Sequence, residues 1–193
     1  ALRFADRAAW HLEDPTPVEQ LQWRDLEAGG TTAMGEALEL LSDALRSPPM
    51  EERALPPVLV LISDGQPTDD FEAGLAKLMH QPWAQKAVRL AIALGHDANL
   101  EVLQQFIGTT AGGDDISPRR PLQASNATTL AQYIQWASTA VVSAASMPAS
   151  RITPTSQTHK GSDRAANGSN ILLPDLPPTL MDPTDEDVGP LVW

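Results

Sequence analysis

Val58-Leu59-Val60-Leu61-Ile62-Ser63-Asp64-Gly65-Gln66-Pro67-Thr68-Asp69-Asp70 is the stretch on which the fold turns. Five apolar residues run straight into an acidic turn. The run is short and aliphatic throughout, which predicts a strand buried on both faces, as in a parallel sheet covered by helices. Asp64 sits where that strand ends. In open α/β sheets, ligands bind at the carboxyl ends of strands. A carboxylate there, on an Asp-Gly turn, is better placed to hold a cation than to pack. The alternative is a turn Asp that satisfies local N–H groups.

Working outward, Ala28-Gly29-Gly30-Thr31-Thr32-Ala33-Met34-Gly35-Glu36-Ala37-Leu38 is a glycine-rich loop with two hydroxyls, opening into a helix. Met34, Ala37, Leu38, Leu41 and Leu45 give that helix one apolar stripe. Thr31 or Thr32 is its expected N-cap. Ser47-Pro48-Pro49 ends it. Downstream, Thr68 or Asp69 is expected to cap a helix with the stripe Phe71, Leu75, Leu78 and Met79. Ala87 to Gly95 reads as a second buried strand. Asp97 then caps a short helix carrying Leu100, Leu103 and Phe106. Gly112 to Asp115 is a turn, with a brief strand near Ile116. Asn126 caps a long helix with Leu130, Ile134, Ala137 and Val141 on one face. Alternating strands and helices imply βαβ units and a mostly parallel sheet. Upstream, residues 2–12 read as a half-buried strand or a hairpin pair, and 18–26 are ambiguous.

The two loops together resemble the von Willebrand factor A (vWA) family, over roughly residues 1–145. That family holds a divalent cation at a metal-ion-dependent adhesion site. Its ligands come from an Asp-x-Ser-x-Ser loop, a Thr in a Gly-rich loop, and an Asp after a hydrophobic strand. The second and third are here, as Gly-Gly-Thr-Thr-Ala-Met-Gly-Glu-Ala-Leu and Leu-Ile-Ser-Asp-Gly; the first does not occur in the chain. The resemblance implies a doubly wound α/β fold, with residues 2–12 on the family's second strand. The first strand, its metal loop and the first helix are then expected upstream of residue 1. It implies Asp64 and Thr32 as metal ligands, Thr31 as the alternate, and Mg²⁺ (or Mn²⁺) as the ion. An oxygen-only site suits those hard cations. The helix Tyr133-Ile134-Gln135-Trp136-Ala137-Ser138 resembles the cytoplasmic vWA proteins associated with bacterial tellurite resistance. Those imply a cytoplasmic location and stress-response partners, including a phosphatase and a kinase.

Composition narrows the function further. The net charge of −12, from 25 acids against 13 bases, argues against nucleic acid and anionic lipid as partners. There is no cysteine, hence no thiolate nucleophile or thiolate metal site. No apolar run approaches the roughly 20 residues of a membrane span. The expected domain is 1–147. Residues 148–193 carry seven of the 17 prolines with many small polar residues and no periodicity, which predicts a disordered tail. Ile171-Leu172-Leu173 and Leu191-Val192-Trp193 are its apolar spots.

The expected function is therefore a non-enzymatic interaction module whose metal captures an acidic partner side chain. One rival is a vWA scaffold that binds without metal. Another is phosphoryl transfer on Asp64, which needs further acids and a placed Lys. Ile62 and Gln66 stand where an Asp-x-Asp motif would put acids. Ser63 and Asp69 read as solvated turn residues or supports of the Asp64 carboxylate. His96 and Asp97 lie at another strand end, His96 exposed. His11, His80 and His159 have no metal-ligand spacing. Trp10, Trp23, Trp83 and Trp136 are expected to pack. Arg119-Arg120 reads as a solvated loop.

Overall fold

The computed structural model describes residues 1–145 apart from 15, 28, 52–53 and 109–119. The tail from 148, the strand near Ile116, the turn at 112–115, Arg119 and His159 lie outside the described residues. The described residues form five strands: β1 (Leu2–Phe4), β2 (Ala8–Trp10), β3 (Val58–Ser63), β4 (Val88–Leu94) and β5 (Leu122–Ala124). The helices are α1 (Met34–Ala44), α2 (Phe71–Met79), α3 (Pro82–Lys86), α4 (Leu100–Ile107), α5 (Ala127–Trp136) and α6 (Val142–Ala145), with a π-helical turn at Ala137–Val141.

β3, β4 and β5 form a parallel sheet in that order, with Ile62 opposite Ile92 and Ile92 opposite Leu122. Along β4 the side chains alternate between two cores, as a pleated strand requires. Ala91 and Ala93 enter the core with Met34, Leu38, Phe71, Leu78, Leu103 and Phe106. Val88, Leu90 and Ile92 enter the other, with Tyr133 and Trp136. Helices therefore cover both faces, α1, α2 and α4 on one and α5 on the other. That is why the β4 run is apolar at every position but Arg89.

Residues 2–12 form two strands, not one. β1 and β2 make an antiparallel hairpin, Leu2 opposite Trp10 and Phe4 opposite Ala8, in a sheet separate from β3-β4-β5. The hairpin packs on α1, with Phe4 against the first core.

Several helix starts differ from expectation. Ala33, not a threonine, is the N-cap of α1 and makes no side-chain cap bond. Asp70 caps α2, through the Ala73 N–H at 2.9 Å. Asn99, not Asp97, caps α4, accepting from Glu101 and Val102. Asn126 caps α5 as expected. The buried stripe of α5 is Thr129, Tyr133 and Trp136, whereas Ile134 is 43% exposed. Of the expected stripe, Ala137 is buried and Leu130 packs against the same core; the expectation failed at Ile134, because Tyr133 and Trp136 take the buried positions. Leu100 is also exposed, while Ile107 joins Leu103 and Phe106 in the core.

Candidate functional site

The C-terminal end of β3 and the N-terminal end of α1 meet on one rim of the sheet. The residues between them are held mostly by backbone hydrogen bonds to side chains from other loops.

One clamp comes from the turn after β3. Thr32 N–H donates to Thr68 Oγ1 at 3.0 Å, and Thr68 N–H donates to the Thr32 carbonyl at 2.9 Å. The Asp69 carboxylate accepts the Gly35 N–H on Oδ1 and the Glu36 N–H on Oδ2, each at 2.8 Å. These are first-turn donors of α1, which have no partner within the helix. Asp69 thus caps α1 from a distant loop, while its neighbour Asp70 caps α2. Asp69 is exposed, as a solvated turn residue would be, and is also a helix cap. Ser63 also departs from expectation: it is 4% exposed, and its hydroxyl sits 3.4 Å from the Gly65 nitrogen, tightening the turn.

The second clamp comes from the hairpin turn Ala5-Asp6-Arg7. Asp6 Oδ1 accepts the Thr31 N–H at 2.8 Å and the Thr31 hydroxyl at 3.2 Å. The Ala5 carbonyl accepts the Ala33 N–H at 2.8 Å. Glu36 reaches back, accepting from Arg7 Nε at 2.9 Å and from the Ala8 N–H at 2.9 Å. The Arg7 side chain, and then the Ala8 N–H, hold the Glu36 carboxyl below the usual carboxylate range, and the Arg7 pKa rises in return. Gly30 has φ +85°, and a Cβ there would lie 2.8 Å from Asp6 Oδ1, so only glycine fits beneath that carboxylate.

Between the clamps, the Thr32 hydroxyl lies beside Gly65, the residue after Asp64. A Cβ on Gly65 would lie 3.2 Å from Thr32 Oγ1, which puts that hydroxyl against the Asp64-Gly65 turn. Asp64 is exposed and Thr32 half-buried. Thr31 points elsewhere, its hydroxyl engaged by Asp6. His96 and Asp97 are exposed at the end of β4. His11 packs on Trp23 with ring centroids 4.7 Å apart, and Trp23 is 54% exposed instead of packed in the core.

A carboxylate and a hydroxyl are both hard oxygen donors, the type Mg²⁺ prefers. They fill only part of an octahedral shell. Among the described residues no group of three or more His, Cys, Asp or Glu could hold a metal ion. As donor types the two would supply at most two positions of such a shell, and the others would fall to water or to oxygens from elsewhere.

Sequence reasoning missed Asp6, and assigned Thr68 or Asp69 to the start of α2 where both hold the loop and first turn of α1. Two consecutive acids ahead of α2, one more than a single cap needs, were the available signal for Asp69. Asp6 had only its place in a short turn between apolar pairs.

No helix among the described residues is long and apolar enough to cross a membrane. No curated protein and no solved structure matches the chain. The family model for the von Willebrand factor type A domain matches residues 15–136, from just past the hairpin to the end of α5. Domains of this type generally serve as protein-interaction modules, often with a metal-ion-dependent adhesion site. With the parallel sheet, the helices on both its faces and the glycine-threonine loop beside the strand-end aspartate, that match places the chain in the von Willebrand factor type A domain family.

Proposed function

We propose that this domain captures a protein partner through a divalent cation, Mg²⁺ or Mn²⁺, held by Asp64 and Thr32, without catalysing a reaction. The observation that carries this reading is the position of the Thr32 hydroxyl against the Asp64-Gly65 turn. When bound, the ion supplies an electrophilic centre with open coordination positions. An Asp or Glu side chain of the partner fills one of them. The chain's own part is to hold the two oxygens still. Asp69 and Thr68 fix the loop from one side and the hairpin turn from the other, so little ordering remains to be done on capture. The resemblance of the Tyr133 to Ser138 helix points to a bacterial tellurite-resistance or stress-response setting, in the cytoplasm, with a phosphatase and a kinase among the partners.

The test is capture from the native host. Tagged protein is expected to retain partners in Mg²⁺, release them in EDTA, and retain them again when Mg²⁺ is restored. Asp64→Ala is expected to abolish retention and Thr32→Ala to weaken it. Equal retention in EDTA and by Asp64→Ala would make the domain a metal-independent scaffold. Phosphate-ester hydrolysis that Asp64→Ala stops would make it an enzyme.

A further inference from the structure

We propose that Asp6 is a positioning residue: it selects which of the two adjacent threonines presents its hydroxyl to the Asp64-Gly65 turn. The proposal rests on the reading of Asp64 and Thr32 as oxygen donors to a divalent cation. It concerns how the second donor is aimed.

The sequence Gly30-Thr31-Thr32-Ala33 offers two equivalent hydroxyls one residue apart. Outside a helix, successive side chains of an extended segment point in opposite directions. Only one of the pair can face the end of β3, and a slip of one residue would exchange them. Asp6 blocks that slip. Its Oδ1 takes both the N–H and the hydroxyl of Thr31, at 2.8 and 3.2 Å, which turns Thr31 toward the hairpin. The Ala33 N–H on the Ala5 carbonyl fixes the residue on the other side of Thr32. Thr32 is then held at its own N–H and carbonyl by Thr68. Its hydroxyl is left to face Gly65, and no hydrogen bond within the described residues turns it away. The close approach of Gly30 belongs to the same device, since a Cβ there would push the Asp6 carboxylate off Thr31.

An arrangement serving only to tie the hairpin down would not need this register. Arg7, Ala8 and Glu36 already join the hairpin to α1. Asp6 acts instead on the loop whose side chains alternate between engaged and free.

The test reads the Thr32 side chain directly, by three-bond coupling constants of the labelled full chain in solution. The parent is expected to show one χ1 rotamer at Thr32. Asp6→Ala should give averaged couplings there, while the dispersion of the core resonances stays unchanged. Asp6→Asn keeps an acceptor oxygen and should restore the single rotamer, whereas Asp6→Leu, which fills the space without an acceptor, should not. Should Asp6→Ala fail to fold, Thr31→Val removes only the hydroxyl donor and is read in its place, with partial averaging expected. A single parent-like rotamer in Asp6→Ala, or in Thr31→Val where that stands in, overturns the proposal.

Mn²⁺ titration of the same samples reads the cation separately. The parent should lose Gly65 and Thr32 amide intensity before other residues. Asp6→Ala should need at least threefold more Mn²⁺ for the same loss at Thr32. Unchanged Mn²⁺ dependence in Asp6→Ala counts against the proposal. No selective broadening in the parent overturns the cation reading instead, and the couplings still decide the role of Asp6.

Discussion

Thr32 and Thr68 are joined by two hydrogen bonds running in opposite directions: the Thr32 N–H to the Thr68 hydroxyl, and the Thr68 N–H to the Thr32 carbonyl. The two residues lie 36 positions apart, one before α1 and one after β3. Their pairing does between two loops what a ladder does between two strands. It fixes the separation of the segments that carry Thr32 and Asp64, so the geometry of the candidate site is set by the loops themselves and not by the sheet alone.

Thr68→Val keeps the shape of the side chain and removes the acceptor. The Thr32 N–H would then turn to water, since the bond is exposed. The expected loss is about 1 kcal/mol, the usual net contribution of one such bond. Urea unfolding with an unchanged slope checks it. Thr68→Ser, which retains the oxygen, should lie close to the parent. A Thr68→Val protein as stable as the parent would mean that the pairing contributes nothing.

Asp69 predicts a larger effect. It satisfies two first-turn N–H groups of α1 and places negative charge at the positive end of the helix dipole. Asp69→Ala should cost about 1–2 kcal/mol. Asp69→Asn should cost less, keeping one acceptor but no charge, and its gap from the parent should narrow at high salt. Thr31→Ala and Thr32→Ala should not reproduce the Asp69→Ala loss, because neither threonine caps α1. Equal losses in all three would return the cap to the threonines.

Gly74 predicts a reversal of an ordinary rule. Inside a helix, Gly→Ala commonly stabilises by about 1 kcal/mol. In α2, a Cβ at Gly74 would fall within contact distance of the Gly35 carbonyl oxygen and 2.8 Å from Gly35 Cα. The two glycines let α1 and α2 touch backbone to backbone, beside the Lys77–Glu39 ion pair that spans the same helices. Gly74→Ala is therefore expected to destabilise by about 1–3 kcal/mol, the range for overpacking. It should also disturb Asp69 and Asp70, since the same crossing brings their loop to α1. A stabilised Gly74→Ala protein, measured by thermal unfolding, would show that the helices separate freely.

The parts of this fold legible in the sequence were those written as periodic burial. β3 and β4 lie within a residue of where their apolar runs put them, because the pattern is continuous; β4 is buried on both faces, whereas β3, expected to be so too, is only partly buried, with Val60 38% exposed. Met34, Ala37, Leu38 and Leu45 of α1 are buried as their spacing required. What the sequence did not disclose was pairing at a distance. The cap of α1 sits 34 residues from the Gly35 N–H it accepts. Local rules look for a cap within the preceding residue or two, where Thr31 and Thr32 offered themselves. β5, only three residues long, has too few positions to show a period. In α5, Tyr133 and Trp136 outweighed Ile134 for the core because a large ring buries more area than a branched aliphatic. For the candidate site, Asp64 at a strand end and Thr32 before a helix could be named from sequence. The resemblance also set Thr32 before Thr31; what could not be read was the bond that ties Thr31 to Asp6 of a separate hairpin.

The last prediction concerns acid. The Glu36 carboxyl is held below the usual carboxylate range, first by the Arg7 side chain and then by the Ala8 N–H. A carboxyl whose folded pKa lies below its unfolded one binds fewer protons folded than unfolded. Its contribution to stability is present above the unfolded pKa and is lost as pH falls through the folded pKa. The contribution should thus be complete at neutral pH and should disappear on acidification through and below the ordinary Glu range. Glu36→Gln removes the titration. It should be less stable than the parent at pH 7, and the two unfolding curves should converge as the pH is lowered past the folded pKa. Arg7→Met should reproduce part of that convergence, because it leaves the Ala8 N–H bond in place. The bridge is exposed on the Arg7 side, so its share should shrink with added salt, while the share from the Ala8 N–H should persist. A Glu36→Gln protein that tracks the parent at a constant offset from neutral pH into acid would show that Glu36 titrates alike in the folded and unfolded chain. The hairpin would then be held to α1 by the Ala5–Ala33 and Asp6–Thr31 bonds without it.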